Sequence, residues 1–318
     1  MGWYQSIVAA SLVVAAAGRA PAQVEVFVTD FYNNSIRRVS TTTGANTPPA
    51  VNSVSLPSAL AIGPDGLLWT SSQGTASIIR INTNTGLTVS TIPLGTQVTV
   101  PGGIAFAPNG DFFVADFVSQ TTPGTGTVKR FSSTGTFIST VATGLNQPSG
   151  LLFSGSNLYI TETNTSTFTG GRLSVYNGTT TTPLSTGTAG TGFAGMALTG
   201  STLLYADLLG GAIHRFDIGT NTALTDLVAP GGSLNNQFPS GLLVESSGSV
   251  LVANLGGVNP PSPAAGSLQR YSSAGVLQTT LVNGIFGSAV VPVPEPTSLA
   301  LVGAAIAGTA MLRRRRKK

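Results

Sequence analysis

The chain of 318 residues contains no cysteine. Disulfides contribute nothing to its stability, and thiolate metal sites, iron–sulfur clusters and a cysteine nucleophile are excluded. Histidine is nearly absent. His214 is the only one, so no multi-histidine metal centre can be built. No Gly-x-Ser-x-Gly nucleophile elbow occurs. Charge is scarce as well, at 8% of residues. The pI of about 9.7 gives little guide to partners, because six of the fifteen basic residues are the last six of the chain. Between residues 24 and 291 there are eight Lys and Arg against ten Asp and Glu, a net charge of −2. A nucleic-acid protein carries its positive charge as a patch on the folded body, so no nucleic-acid partner is expected.

Glycine (40 residues), proline (19), and many Thr, Ser and Val take the place of charge. That mixture favours many short strands and tight turns over helices.

Both ends differ from the body. Residues 7–17 are apolar and small, and Ala20-Pro21-Ala22 follows as an A-x-A pattern permitting cleavage before Gln23. Residues 1–22 therefore read as a secretory signal peptide, although no Lys or Arg precedes the apolar run. The competing readings are an uncleaved anchor, for which the run is short, and a buried strand. At the other end, residues 299–312 carry no charge and precede Arg313, Arg314, Arg315, Arg316, Lys317 and Lys318. As a helix these fourteen residues extend about 21 Å, short of a hydrocarbon core of roughly 30 Å unless flanking residues and snorkelling arginines help. The basic cluster would lie in the cytoplasm and the body outside.

Pro294-Glu295-Pro296, the apolar stretch and the Arg/Lys terminus together resemble the PEP-CTERM sorting domain of Gram-negative bacteria, over residues 293–318. The resemblance implies recognition by an exosortase, cleavage near Pro-Glu-Pro, transient anchoring in the inner membrane, and delivery to the cell surface or extracellular matrix. Association with exopolysaccharide is the family expectation. An ordinary tail anchor is the plainer alternative.

The body repeats. An apolar, apolar, small, polar segment recurs six times, ending at Asp30, Ser71, Asp116, Glu162, Asp207 and Asn254, with spacings of 41, 45, 46, 45 and 47. Upstream of five copies lies a turn, a small residue and an apolar strand, as in PGGIAF, PSGLLF and PSGLLV. Pro64-Asp65-Gly66 and Pro108-Asn109-Gly110 join the two as hairpins. Downstream come a third strand, often carrying Arg, and a Thr-rich fourth. Four short strands per ~45 residues is the period of a β-propeller blade. The first copy lacks its leading strand, but residues 287–292 line up with GIAFAP and can supply it. The expected fold is an all-β, six-bladed β-propeller over residues 23–292, its last blade closed by strands from both ends, plus a C-terminal hydrophobic helix. The pattern resembles NHL-repeat propellers and, less closely, gluconolactonase-like ones.

The repeated polar residues have two readings. They form a ring of oxygen ligands for Ca²⁺, with Asp116, Glu162, Asp207 and Asn254 as metal candidates, or each caps the turn after its own strand. A residue recurring in every blade usually serves the blade, which favours caps and no cofactor. Arg38, Arg80, Arg130, Arg215 and Arg270 recur on one blade face, beside an acidic residue or loop carbonyl. His214 reads as a solvated strand residue. The gluconolactonase-like family holds a metal with acidic and amide residues, whereas the innermost strands here are apolar. The leading expectation is thus a non-enzymatic binding or scaffold protein. A Ca²⁺-dependent lactonase-type hydrolase is the alternative. A propeller displaying glycans on its Thr-rich loops is a third reading. The linkers after Asp116, Glu162 and Asn254 are long (FVSQTTPGTGT, TNTSTFTGG and LGGVNPPSPAAGS), and such loops either suit a neutral polar partner such as polysaccharide, or another surface protein, or are disordered decoration.

Overall fold

The computed structural model describes residues 25–118, 122, 124–163, 170–256 and 266–294. The chain begins with β1 (Glu25–Asp30), β2 (Ser35–Ser40) and the short β3 (Val51–Asn52). Blade one is β4 (Pro57–Ile62), β5 (Leu68–Ser72), β6 (Ser77–Ile81) and β7 (Thr88–Pro93). Blade two is β8 (Pro101–Phe106), β9 (Phe112–Asp116), β10 (Gly126–Phe131) and β11 (Phe137–Leu145). Blade three is β12 (Pro148–Ser154), β13 (Asn157–Glu162), β14 (Arg172–Tyr176) and β15 (Thr181–Thr186). Blade four is β16 (Phe193–Thr199), β17 (Thr202–Asp207), β18 (Ala212–Asp217) and β19 (Thr222–Val228). Blade five is β20 (Pro239–Val244), β21 (Val250–Asn254), β22 (Gly266–Tyr271) and β23 (Leu277–Ile285). The last strand, β24 (Val290–Pro292), pairs antiparallel with β1, so blade six has the order β24-β1-β2-β3.

First strands pack on one another in a closed circle, β4 on β8, β8 on β12, β12 on β16, β16 on β20, β20 on β24 and β24 on β4. This is the six-bladed propeller the repeat predicts, with its ring closed by the two ends of the body. No open array is left with unpaired sheet edges facing its neighbours.

Each strand position has its own composition. Second strands lie between neighbouring blades and are buried from end to end, as in LWTSS and FFVAD. Both faces need cover, so they hold apolar and small residues without a polar-out alternation. Fourth strands form the outer wall; β7 reads TVSTIP and is mostly exposed. The blade interfaces hold separate apolar clusters. Between blades one and two, Trp69 meets Phe106 and Phe112 edge-on at 5.0 and 5.2 Å, and Phe112 stacks on Phe131.

The Pro-Ser-Gly signature of the first strands has a steric cause. The pairing register shifts there in five blades, between Pro57 and Ala59, Pro101 and Ile104, Pro148 and Gly150, Phe193 and Met196, and Pro239 and Gly241. Such a bulge turns the strand's start toward the channel. The neighbouring first strand then comes so close that a Cβ on Gly103 would lie 2.6 Å from the Ser149 carbonyl oxygen. One on Gly241 would lie 2.7 Å from Ala289 Cα.

Chain direction gives the propeller two unlike faces. The upper face carries the second-to-third loops and the blade-to-blade connections. The lower face carries the first-to-second and third-to-fourth hairpins. Every exposed large apolar side chain among the described residues (Leu87, Val89, Phe137, Ile138, Leu224, Val276 and Leu277) follows a third-to-fourth turn, at the lower rim. The expected hydrophobic helix at 299–312 lies outside the described residues. Among these, the helical element is one 3-10 turn, Gln73–Thr75, and no helix is long and apolar enough to cross a membrane.

Candidate functional site: the channel and its upper mouth

The first strands surround a cavity of about 1130 Å³. Its walls come from small and aliphatic residues such as Ala59, Gly103, Leu151, Met196 and Leu242. Among the described residues, no ionisable side chain other than the Tyr32 phenol lines it. Three serine hydroxyls on the wall are spent on the ring itself. Ser58 Oγ donates to the Pro101 carbonyl at 2.8 Å, Ser149 Oγ to Phe193 at 2.9 Å, and Ser288 Oγ to Pro57 at 3.1 Å. Each bond crosses from one blade to the next.

Loops leaving the second strands frame the upper mouth. They contribute Phe31, Tyr32, Phe117, Leu208, Leu209 and Leu255. Phe31 and Phe286 both meet Tyr32 edge-on at 5.0 Å, making an aromatic corner. Burial pushes the Tyr32 phenol pKa up, so it stays a neutral hydroxyl. Sequence reading missed this rim. The signal was available, because an apolar residue directly follows the repeated polar position as Phe31, Phe117, Leu208 and Leu255.

The repeated polar residues sit just behind the rim. All are buried, but they pin blade-to-blade connections as well as the turns after their own strands. Asp116 Oδ1 accepts the backbone N–H groups of Thr99 and Val100, both at 3.1 Å, just before β8. Glu162 accepts Asn146 N–H at 2.6 Å and a two-pronged contact from Arg172. Asp207 Oδ1 accepts Gly192 N–H at 2.8 Å and Gly210 N–H at 2.9 Å. Asp30 accepts Phe286 N–H at 3.0 Å and Arg37 Nε at 2.8 Å. In blade one the equivalent position belongs to Ser72, paired with Pro57, and not to Ser71. Ser72 Oγ donates to the Ser55 carbonyl at 2.7 Å, while Ser71 Oγ reaches Gly102 O in the next blade. Asn254 departs from the pattern. Its amide donates to Ser267 and Gln269, both at 3.1 Å, and its buried Oδ1 has no partner among the described residues.

These residues therefore do not converge on one point. Among the described residues, no group of three or more His, Asp or Glu is placed to hold a metal ion.

His214 is only partly exposed and is paired on both ring nitrogens. Its Nδ1 lies 2.8 Å from Asp226 and its Nε2 3.4 Å from Asp207, with Phe193 and Tyr205 against the ring. Burial opposes protonation, but the two carboxylates outweigh it and raise the pKa above 6.5. Because the carboxylates occupy opposite ring nitrogens, the trio is a clamp across three strands and offers no free nitrogen.

The recurring arginines lie in the lower half, as blade staples. Arg38 pairs with Glu25; Arg80 reaches Asp65 at 2.6 Å, Arg130 reaches Asp111 at 2.5 Å, and Arg270 reaches Glu245 at 2.6 Å. Three also cover a second-strand aromatic ring, as Arg80 does Trp69 at 5.0 Å. Arg215 donates to the Thr225 carbonyl.

Pro294 follows β24 at the lower face. Ala20, Ala22, Glu295, Pro296 and Arg313 to Arg316 lie outside the described residues, as do most of the three long linkers.

Residues 292–316 match the PEP-CTERM protein-sorting motif. The motif marks an exported protein sorted by an exosortase to the cell surface or beyond. No curated protein is detectably similar to the chain in sequence. Solved structures share the fold. A chain from the crystal structure of a nidogen/laminin complex matches with a TM-score of 0.67 and 16% identity, over 85% of this chain and 98% of its own. A protein of unknown function from Bacteroides caccae matches with a TM-score of 0.64 and 14% identity, over 86% and 100%.

Proposed function

We propose that the propeller is a non-enzymatic binding or scaffold module, displayed at the cell surface or in the extracellular matrix, whose recognition surface is the upper mouth. One observation carries this reading: among the described residues the channel wall bears no carboxylate or imidazole, and the acids behind the rim are already engaged by backbone N–H groups, Arg37, Arg172 and His214. A hydrolase needs free groups to activate water and to stabilise charge. A binding module needs a concave, largely apolar surface with a few polar groups, which Tyr32, Gln73 and Thr163 provide here. The structural similarity to a chain from a nidogen/laminin complex is in keeping with a propeller that works by association.

Exopolysaccharide is the partner class we favour. Sugar rings present C–H faces that pack on aromatic rings such as Tyr32 while their hydroxyls stay wet. The sorting motif sends the protein where such polymers are. Residues 1–22 act as the export signal in this scheme, and residues 293–318 hold the chain in the inner membrane until the exosortase acts.

The calcium-dependent hydrolase draws on a single observation, the Oδ1 of Asn254, which has no partner among the described residues. Thermal unfolding with calcium and with chelator separates the readings. A ligand specific to the folded state at 100 times its Kd stabilises by about 2.7 kcal/mol, a visible shift in Tm. A binding module that needs no metal unfolds at one Tm in both. A calcium-dependent rise, lost in Asn254→Ala and accompanied by lactone hydrolysis, would replace the proposal.

A further inference from the structure

The sorting motif has no linker. Its match begins at Pro292, which is also the last residue of the closing strand β24. That strand is held by pairing with β1, and Val293 N–H then donates to the Glu25 carbonyl at 2.8 Å. First strands run from the upper mouth down to the lower hairpins, so the chain leaves the fold at the lower end of the channel. Val293 still packs against the buried cluster that includes Phe27, Leu60 and Leu68.

The apolar stretch starts at residue 299, seven residues past Pro292. Seven residues span at most about 25 Å when fully extended. A compact body of this length has a radius of gyration of roughly 18 Å, so its outer radius is close to the whole tether. A tether rooted at the lower channel end cannot pass round the rim to let the upper face meet the bilayer.

The lower rim is suited to the contact that this geometry imposes. Leu87 is 68% exposed and Val276 63%, each directly after the glycine of its third-to-fourth turn, and Val89 and Ile138 are exposed two positions further along on blades one and two. By chain position, the lower half holds six Lys and Arg against five Asp and Glu, and the upper half two against five. Anionic headgroups therefore repel the upper face and not the lower.

We propose that, before processing, the lower face of the propeller docks on the lipid bilayer that holds the tail, leaving the upper mouth pointing away from the membrane. This rests on the reading of residues 299–312 as a membrane anchor. Exosortase then meets its motif pressed between the folded body and the headgroups, within a few residues of the strand that closes the ring.

The absence of native cysteine makes the test clean. The full unprocessed chain is put into vesicles of phosphatidylethanolamine and phosphatidylglycerol carrying a headgroup-level quencher lipid. Single fluorophores are attached through Ser133→Cys or Ala274→Cys in lower turns, and Thr96→Cys or Thr188→Cys in upper connections; all four positions are exposed. The expected result is quenching at 133 and 274 and none at 96 and 188. In a Leu87→Glu, Val276→Glu double variant, the lower labels lose their quenching while the protein still floats with the vesicles. Flotation with equal quenching at all four sites, or with stronger quenching above, overturns the docking face but leaves the anchor reading standing. Lower-face quenching that survives the two glutamates overturns the rim contact. A chain that does not float overturns the anchor reading and the proposal together.

Discussion

Asp116 and Asp207 at the upper face use their carboxylates differently from Asp65 and Asp111 at the lower. At the upper end, Asp116 and Asp207 are buried and accept backbone N–H groups from the connection that brings the chain into the blade. At the lower end, Asp65 and Asp111 are partly exposed and face arginine side chains. The upper bonds fix where one blade hands over to the next. The lower ones hold second and third strands of a blade already formed. Upper acids thus determine the geometry of the ring, and lower acids decorate it.

The first way to break the comparison is steric, and carries the largest effect. Gly103→Ala drives a methyl group against the backbone of blade three, so it should destabilise by about 3 kcal/mol. Gly66→Ala, in a lower hairpin with φ +74° and open space around it, should cost only about 1 kcal/mol, from backbone strain alone. Denaturant unfolding of both variants reads the difference, and equal losses would mean that the first strands are not closely packed.

The acids come next. Asp116→Ala removes a buried carboxylate that accepts the part-buried N–H groups of Thr99 and Val100, and a loss of about 2 kcal/mol is expected. Asp111→Ala breaks an ion pair whose arginine side chain is 37% exposed, so the loss should be at most ~1 kcal/mol. Similar midpoints for the two variants would erase the distinction between the ends.

A smaller, pH-dependent effect sharpens it. The pKa of His214 is raised in the folded state, so protonation stabilises the fold. That stabilisation is fully present below pH 6.5 and fades as pH rises through the folded-state pKa. His214→Gln should flatten the dependence of Tm on pH between about 6 and 8, a range set by the histidine titration. An unchanged profile would show that the clamp holds a neutral ring. Asp65 contributes in the opposite sense. Burial raises its carboxyl pKa, but hydrogen bonds from Arg80 and Trp69 outweigh this and hold it below 3.8, so its contribution is lost only in strong acid.

The blade count, the closure by β24 and the arginine staples were legible in the sequence, because each repeats at a fixed offset within a 45-residue unit. What repeats with the fold can be read by aligning the chain with itself. The assignment of Ser71 went wrong by one residue, since Ser71 and Ser72 both satisfy an apolar-then-polar pattern and pairing with Pro57 alone separates them. The clamp on His214 was hidden for a related reason: Asp207 and Asp226 lie on the two flanking strands, and only the pairing register brings them to one ring. The aromatic corner at the mouth joins Phe31 and Tyr32 to Phe286, more than 250 residues away, through closure of the ring.

Binding decides whether the upper face is the working face. Exopolysaccharide purified from cells that make this protein would be titrated against the processed protein, its Tyr32→Ala and Phe117→Ala variants, and Leu87→Glu at the lower rim. The account predicts saturable binding that the two upper substitutions weaken and the lower one leaves unchanged. Binding unaffected at the upper mouth but lost with Leu87→Glu would contradict it, as would no binding at all.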